Sequence, residues 1–159
     1  MNKIAVQFIQ AFIVLIGIVT MIILIRLPLS EGRAAHLDAI SIYTDKFILF
    51  GYFASIAFFA ALYHAFKLLG YIGRDKTFSM DSVKSLRRIK YSMLVLIVFI
   101  ALAGGYIRLF HDKEDDPAGF LALCLAATII CLVIATAATI FEKILQNAIH
   151  IKSENDLTI

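Results

Sequence analysis

The sequence predicts an all-α, polytopic membrane protein: a four-transmembrane-helix antiparallel bundle with cytoplasmic extensions of helices 3 and 4. Three observations predict it. Hydrophobic residues make up 61% of the 159 positions and charged residues only 17%, against roughly 45–50% and ~25% in a soluble domain. A globule this small has too little interior to hide so much apolar surface. Asp, Glu, Lys and Arg are absent from four long stretches, 4–25, 47–66, 91–107 and 117–141. The cations between those stretches are unevenly distributed.

A helix needs about 20 apolar residues to cross ~30 Å of hydrocarbon. The first, second and fourth stretches meet this outright. The third meets it once Arg108 snorkels and Leu109 and Phe110 lengthen it. Backbone groups in lipid must bond within their own segment, so the runs are helices. The predicted spans are 4–25, 47–69, 91–110 and 118–141, with a cytoplasmic segment 70–90 and a tail 142–159, all in one domain, 1–159. The first run is read as a retained span. It is longer than the ~7–15 residues of a signal-peptide core, Lys3 is its only n-region charge, and no A-x-A site follows. Pro28 and Gly32 are expected to stop the helix there.

Spans 3 and 4 are expected to continue beyond the bilayer. Ser79, Asp81 and Ser82 offer a cap and a first-turn acid. No Gly or Pro intervenes from Val83 to Gly104, and none follows Gly119. Val83, Leu86, Ile89 and Met93 recur at helical spacing, as do Ile144, Leu145, Ala148 and Ile149. The two extensions are expected to pack as a stalk. Glu142 would then stand beside the cluster Lys84, Arg87, Arg88 and Lys90, in exposed pairs adding only ~0–1 kcal/mol.

Orientation follows from the loops. Lys67, Arg74, Lys76, Lys84, Arg87, Arg88 and Lys90 lie between spans 2 and 3, against Arg26, Arg33 and Lys46 before them and Arg108 and Lys113 after. The middle segment is therefore cytoplasmic, and both termini join it with Lys3, Lys143 and Lys152. Tyr43, Tyr71, Tyr91 and Tyr106 fall near the interfaces. The protein is expected in the cytoplasmic (inner) membrane.

Small residues every fourth position suggest close helix contacts: Ala57, Ala61 and Ala65; Ala101 and Gly105; Ala122 and Ala126. Gly104-Gly105 marks a close crossing or a bend. Cys124 and Cys131 are seven residues, roughly 10 Å, apart on one helix, too far for a disulfide, and read as two small apolar side chains on one face. Gln7, Gln10, Thr20, Ser55, Thr128, Thr136 and Thr139 supply the polar content of the spans, for helix–helix hydrogen bonds or a polar path.

Little in the sequence carries chemistry. His36 and His111 fall near one bilayer edge, beside Asp112, Glu114, Asp115 and Asp116, but no H-x-x-x-H or E-x-x-H spacing supports a metal site. His64 sits near the cytoplasmic interface, with Lys67 one turn on. The spans hold no Asp, Glu, Lys or Arg of the kind pumps and transporters use, and no P-loop, G-x-S-x-G or H-E-x-x-H motif occurs. No catalytic residue, metal ligand or cofactor is assigned. The basic cluster abutting span 3 reads as a topology signal with affinity for anionic lipid. DNA would be repelled by that surface, so direct nucleic-acid binding is not expected.

The tail, with Glu154, Asn155, Asp156, Leu157, Thr158 and Ile159, resembles the ending of a family of small bacterial four-span membrane proteins catalogued as domain of unknown function 2975. Phe78-Ser79 followed by Val83, Leu86 and Arg87 is similar to that family's cytoplasmic segment. The resemblance implies no enzyme activity. Its members are often encoded beside a small helix-turn-helix repressor-like protein, which implies a cytoplasmic partner of that kind. On this reading the chain is a non-enzymatic membrane protein that sequesters such a regulator. Arg87, Arg88 and the six tail residues from Glu154 to Ile159 form the partner-binding surface. Two other classes stay open: a small-molecule or ion-handling protein, including a homo-oligomer with a pore, and a membrane immunity or stress protein.

Overall fold

A computed structural model describes residues 3–30, 42–74, 76–110 and 117–156. It contains four long helices and, among those residues, no strand: α1 (Lys3–Ser30), α2 (Lys46–Gly73), α3 (Met80–Phe110) and α4 (Ala118–Asp156). All four are long and apolar enough to cross a membrane, and their large side chains face outward along most of their length, as in a lipid-bathed bundle.

Neighbouring helices run antiparallel. Gln10 donates from its amide to the Phe66 carbonyl (3.1 Å), and Val6 lies against Gly73, which sets α1 against α2. Phe50 packs on Phe99 and Phe47 stacks on Tyr106, which sets α2 against α3. Gly104 meets Leu121 and Cys124, while Arg87 meets Glu142, which sets α3 against α4. The main helix contacts thus follow chain order, and α1 packs chiefly on α2. The core lies between α2, α3 and α4, built from Ala61, Leu86, Ile89, Met93, Cys131, Ala135 and Ala138.

Local chemistry sets the helix ends. Asp45 caps α2, its Oδ1 accepting from the amides of Phe47 and Ile48 at 2.8 and 3.3 Å. Ser79 accepts from Ser82 N at both its carbonyl and its hydroxyl, opening α3 where the sequence placed a cap. Pro117 stands just before α4 and accepts from Leu121 N, a position that costs the helix no donor.

Four expectations are corrected. First, α1 does not stop before Pro28 but runs through it to Ser30. Pro28 lacks the N–H that would bond the Leu24 carbonyl. The Tyr52 hydroxyl donates to that carbonyl from α2 at 3.1 Å, and Tyr43 donates to the Ile25 carbonyl at 2.9 Å. Neighbours that re-satisfy freed backbone groups are what make proline tolerable in a membrane helix.

Second, Ala101, Gly105, Ala122 and Ala126 all face outward. The α3–α4 contact instead runs along Leu86, Ile89, Met93 and Gly104 on one side and Cys124, Cys131, Ala135, Ala138 and Glu142 on the other. Steps of three, four, seven and eleven residues keep each row on one face of its helix, as in a coiled-coil seam, and the small side chains of α4 let the helices approach. Both cysteines belong to that seam.

Third, Thr128, Thr136 and Thr139 donate along their own helix rather than across to another. Each hydroxyl donates to a carbonyl four residues back on its own helix, at 2.8 Å, and Ser55 donates to Tyr52 three residues back. A γ-hydroxyl is short enough to prefer that local acceptor. Fourth, Ile144 turns outward while Leu145 packs on the core.

Candidate functional site

Beyond the apolar runs, α3 and α4 continue side by side as the expected stalk. Leu86 and Ile89 belong to the buried cluster they share, and Ser82, Val83 and Ser85 are buried at the start of α3. Ser82 donates to the Lys76 carbonyl at 3.2 Å and Ser85 to the Asp81 carbonyl at 2.9 Å, so the buried hydroxyls are satisfied.

The register of the stalk is fixed at Glu142, one residue past the apolar run of α4. Arg87 Nε reaches its Oε1 at 2.7 Å and Lys90 Nζ its Oε2 at 2.8 Å. The pairing matches the expectation but not its setting: Glu142 is only 6% exposed, so this is a buried carboxylate satisfied by two cations. Burial pushes the carboxyl up, but the hydrogen bonds and charges of Lys90 and Arg87 outweigh it and hold Glu142 below the ordinary carboxylate value. The hydrogen bond to Glu142 and its charge in turn raise the Arg87 guanidinium.

The residues proposed for partner binding therefore divide. Arg87 is committed to Glu142, whereas Arg88 is exposed. Glu154 is exposed on the last turns of α4, its Oε1 3.5 Å from His150 Nδ1. Asn155 and Asp156 continue the helix. Leu157, Thr158 and Ile159 lie outside the described residues, as do His36, His111 and the acidic turn 112–116. Among the described residues no three His, Cys, Asp or Glu side chains gather as a metal site. His64 is half-buried in α2, its ring edge-on to Tyr63, and its Nδ1 is buried without a hydrogen-bond partner.

Sequence reasoning missed an apolar surface on the stalk. Ile144 and Ile151 are 53% and 60% exposed. Seven residues is close to two helical turns, so both lie on one face. With Glu142 level with 87–90, antiparallel helices place Ile151 about level with the start of α3, where Phe78 and Met80 are also exposed. Helical spacing alone had assigned both Ile144 and Leu145 to the packed face; only Leu145 packs there.

The sequence matches, over residues 3–159, the family described as "Protein of unknown function (DUF2975)". It is 38% identical over 161 residues, spanning all of both chains, to the uncharacterized membrane protein YoaS of Bacillus subtilis (strain 168). No solved structure matches.

Proposed function

We propose a role from one premise, that this chain belongs to the DUF2975 family: it is a non-enzymatic membrane protein whose basic end faces the cytoplasm and whose stalk docks a small cytoplasmic helix-turn-helix regulator. The observation that carries this reading is the outward face of α4 beyond Glu142. Ile144 and Ile151 stand exposed there, past the apolar run, beside Asn147 and Glu154. Apolar residues two turns apart on a projecting helix suit insertion into a groove of a soluble partner. Arg88 and Glu154 supply charges at the rim, and Leu157 and Ile159 extend the same apolar character along the tail. A regulator held there is kept from its operator.

An ion or solute path would need polar groups facing one another across the helices. The buried cluster between α2, α3 and α4 is alanine, leucine, isoleucine, methionine and cysteine, and the threonine hydroxyls are spent on their own helix. That favours the docking reading.

The test is co-expression of the full-length protein with a helix-turn-helix protein encoded beside its gene, followed by membrane fractionation. The regulator is expected in the membrane fraction with the wild type. It is expected to be released by Ile144→Ser with Ile151→Ser, and by removal of 154–159. A regulator that stays soluble with the wild type, or stays bound to both variants, overturns the assignment.

A further inference from the structure

A second feature lies at the same end of the bundle, on the other pair of helices. Where α1 begins and α2 ends, a cleft of about 470 Å³ is lined by Lys3, Val6, Gln7, Gln10, Gly70, Gly73 and Arg74. Its size falls within the ~300–1,000 Å³ of ordinary ligand sites. Two cations and two amides face it, and no carboxylate is among its described lining residues.

The helices are brought together here by glycine. A Cβ at Gly73 would stand 3.2 Å from Val6 Cγ1, tighter than ordinary contact, and one at Gly70 would stand 3.5 Å from Gln10 Nε2. Val6 is itself buried and forms the floor. Gln10 is fixed by its bond to the Phe66 carbonyl. The amides thus sit one to two turns deeper than Lys3, which places donors at two depths along the bilayer normal.

We propose that this cleft binds the headgroup of an anionic phospholipid, with Lys3 and Arg74 on the phosphodiester and Gln7 on the hydroxyl or ester oxygens beneath it. The depth matches: the cleft lies at the end of the first apolar run, and the neighbouring Ile4 and Phe8 are almost fully exposed, giving acyl chains a surface continuous with the headgroup. Cationic pockets between helices at a membrane edge have this use. A free phosphate offers the same charge but neither the glycerol oxygens for the amides nor the chains for α1, so the lipid is the occupant assigned. The site is separate from the stalk and does not depend on the docking of a regulator.

Native mass spectrometry of the full-length protein in detergent tests this with dioleoyl phosphatidylglycerol, dioleoyl phosphatidylcholine and inorganic phosphate as probes. Wild type is expected to retain the glycerol lipid over the choline lipid and to ignore phosphate. At about 1 kcal/mol per cation, Lys3→Gln or Arg74→Gln is expected to weaken retention about fivefold, and the pair about 30-fold. Lys143→Gln with Lys152→Gln, which removes two exposed cations at the same end, is expected to leave retention within about twofold. Circular dichroism and thermal unfolding confirm that each variant is folded. Equal losses in the two double variants, no loss in Lys3→Gln with Arg74→Gln, or equal occupancy by inorganic phosphate overturns the proposal.

Discussion

The hydroxyl of Tyr52 stands 3.1 Å from the carbonyl of Leu24, the backbone oxygen that Pro28 leaves without its helical donor. A side chain on α2 thereby completes the backbone of α1. In lipid no water is at hand to take its place, so Tyr52→Phe is expected to cost about 1–3 kcal/mol, read as a lowered midpoint of thermal unfolding in detergent. Pro28→Ala restores the N–H, and in that background the same substitution should cost much less. Additive losses across this double-mutant cycle would show the hydroxyl to be irrelevant to the proline.

Glu142 carries both contacts of the stalk ion cluster. Glu142→Ala removes both at once and is expected to destabilise by about 2–3 kcal/mol, with Lys90→Ala next and Arg87→Ala least. The order follows exposure, because Lys90 is largely covered while Arg87 is half in solvent and can recover water. Chemical or thermal unfolding of the three variants in one detergent checks it.

The same carboxylate gives a pH dependence of definite sign. Its folded-state pKa is depressed, so its contribution is fully present above the unfolded value, about 4.3. It is lost as pH falls through the lower folded value. Stability of the wild type should thus drop faster than that of Glu142→Gln as pH falls below about 4.3. Parallel curves would show that the pairing contributes nothing.

Gly104 and Gly105 should respond oppositely to substitution. Nothing lies within 4 Å of a Cβ at Gly105, so Gly105→Ala should stabilise by up to about 1 kcal/mol through helix propensity. Gly104 faces Leu121 and Cys124 at 3.6–3.8 Å, so Gly104→Leu should destabilise by about 1–3 kcal/mol by forcing α3 from α4. Thermal unfolding of both variants decides it.

Sidedness has a direct check. With Cys124 and Cys131 replaced by Ala, a cysteine at Lys143 should be silent to an impermeant maleimide on intact cells and reactive after lysis. Labelling of intact cells would invert the topology and overturn the proposed docking of a cytoplasmic regulator.

Much of this architecture is readable from composition. The absence of charge over four runs sets the number of spans, and the breaker-free segments after Val83 and Gly119 set the helical stalk, since both depend only on residues along one helix. Leu86, Ile89 and Met93 were legible for the same reason: a stripe at helical spacing, beside a known partner helix, faces it. The exposed apolar face of α4 was not legible, because Ile144 and Leu145 satisfy the same spacing and nothing local says which one meets α3. The cleft was not legible either, since Lys3 and Arg74 lie at opposite ends of two helices in the chain.

Four bilayer-crossing helices follow from the residue order alone, because transfer of apolar side chains into lipid is a property of each segment. Which small residues form the α3–α4 seam, how α1 survives Pro28, and the burial of Glu142 emerge only when the helices pack. Those outcomes depend on the rotation and register of one helix against another, and rotation is set by contacts between residues far apart in the chain.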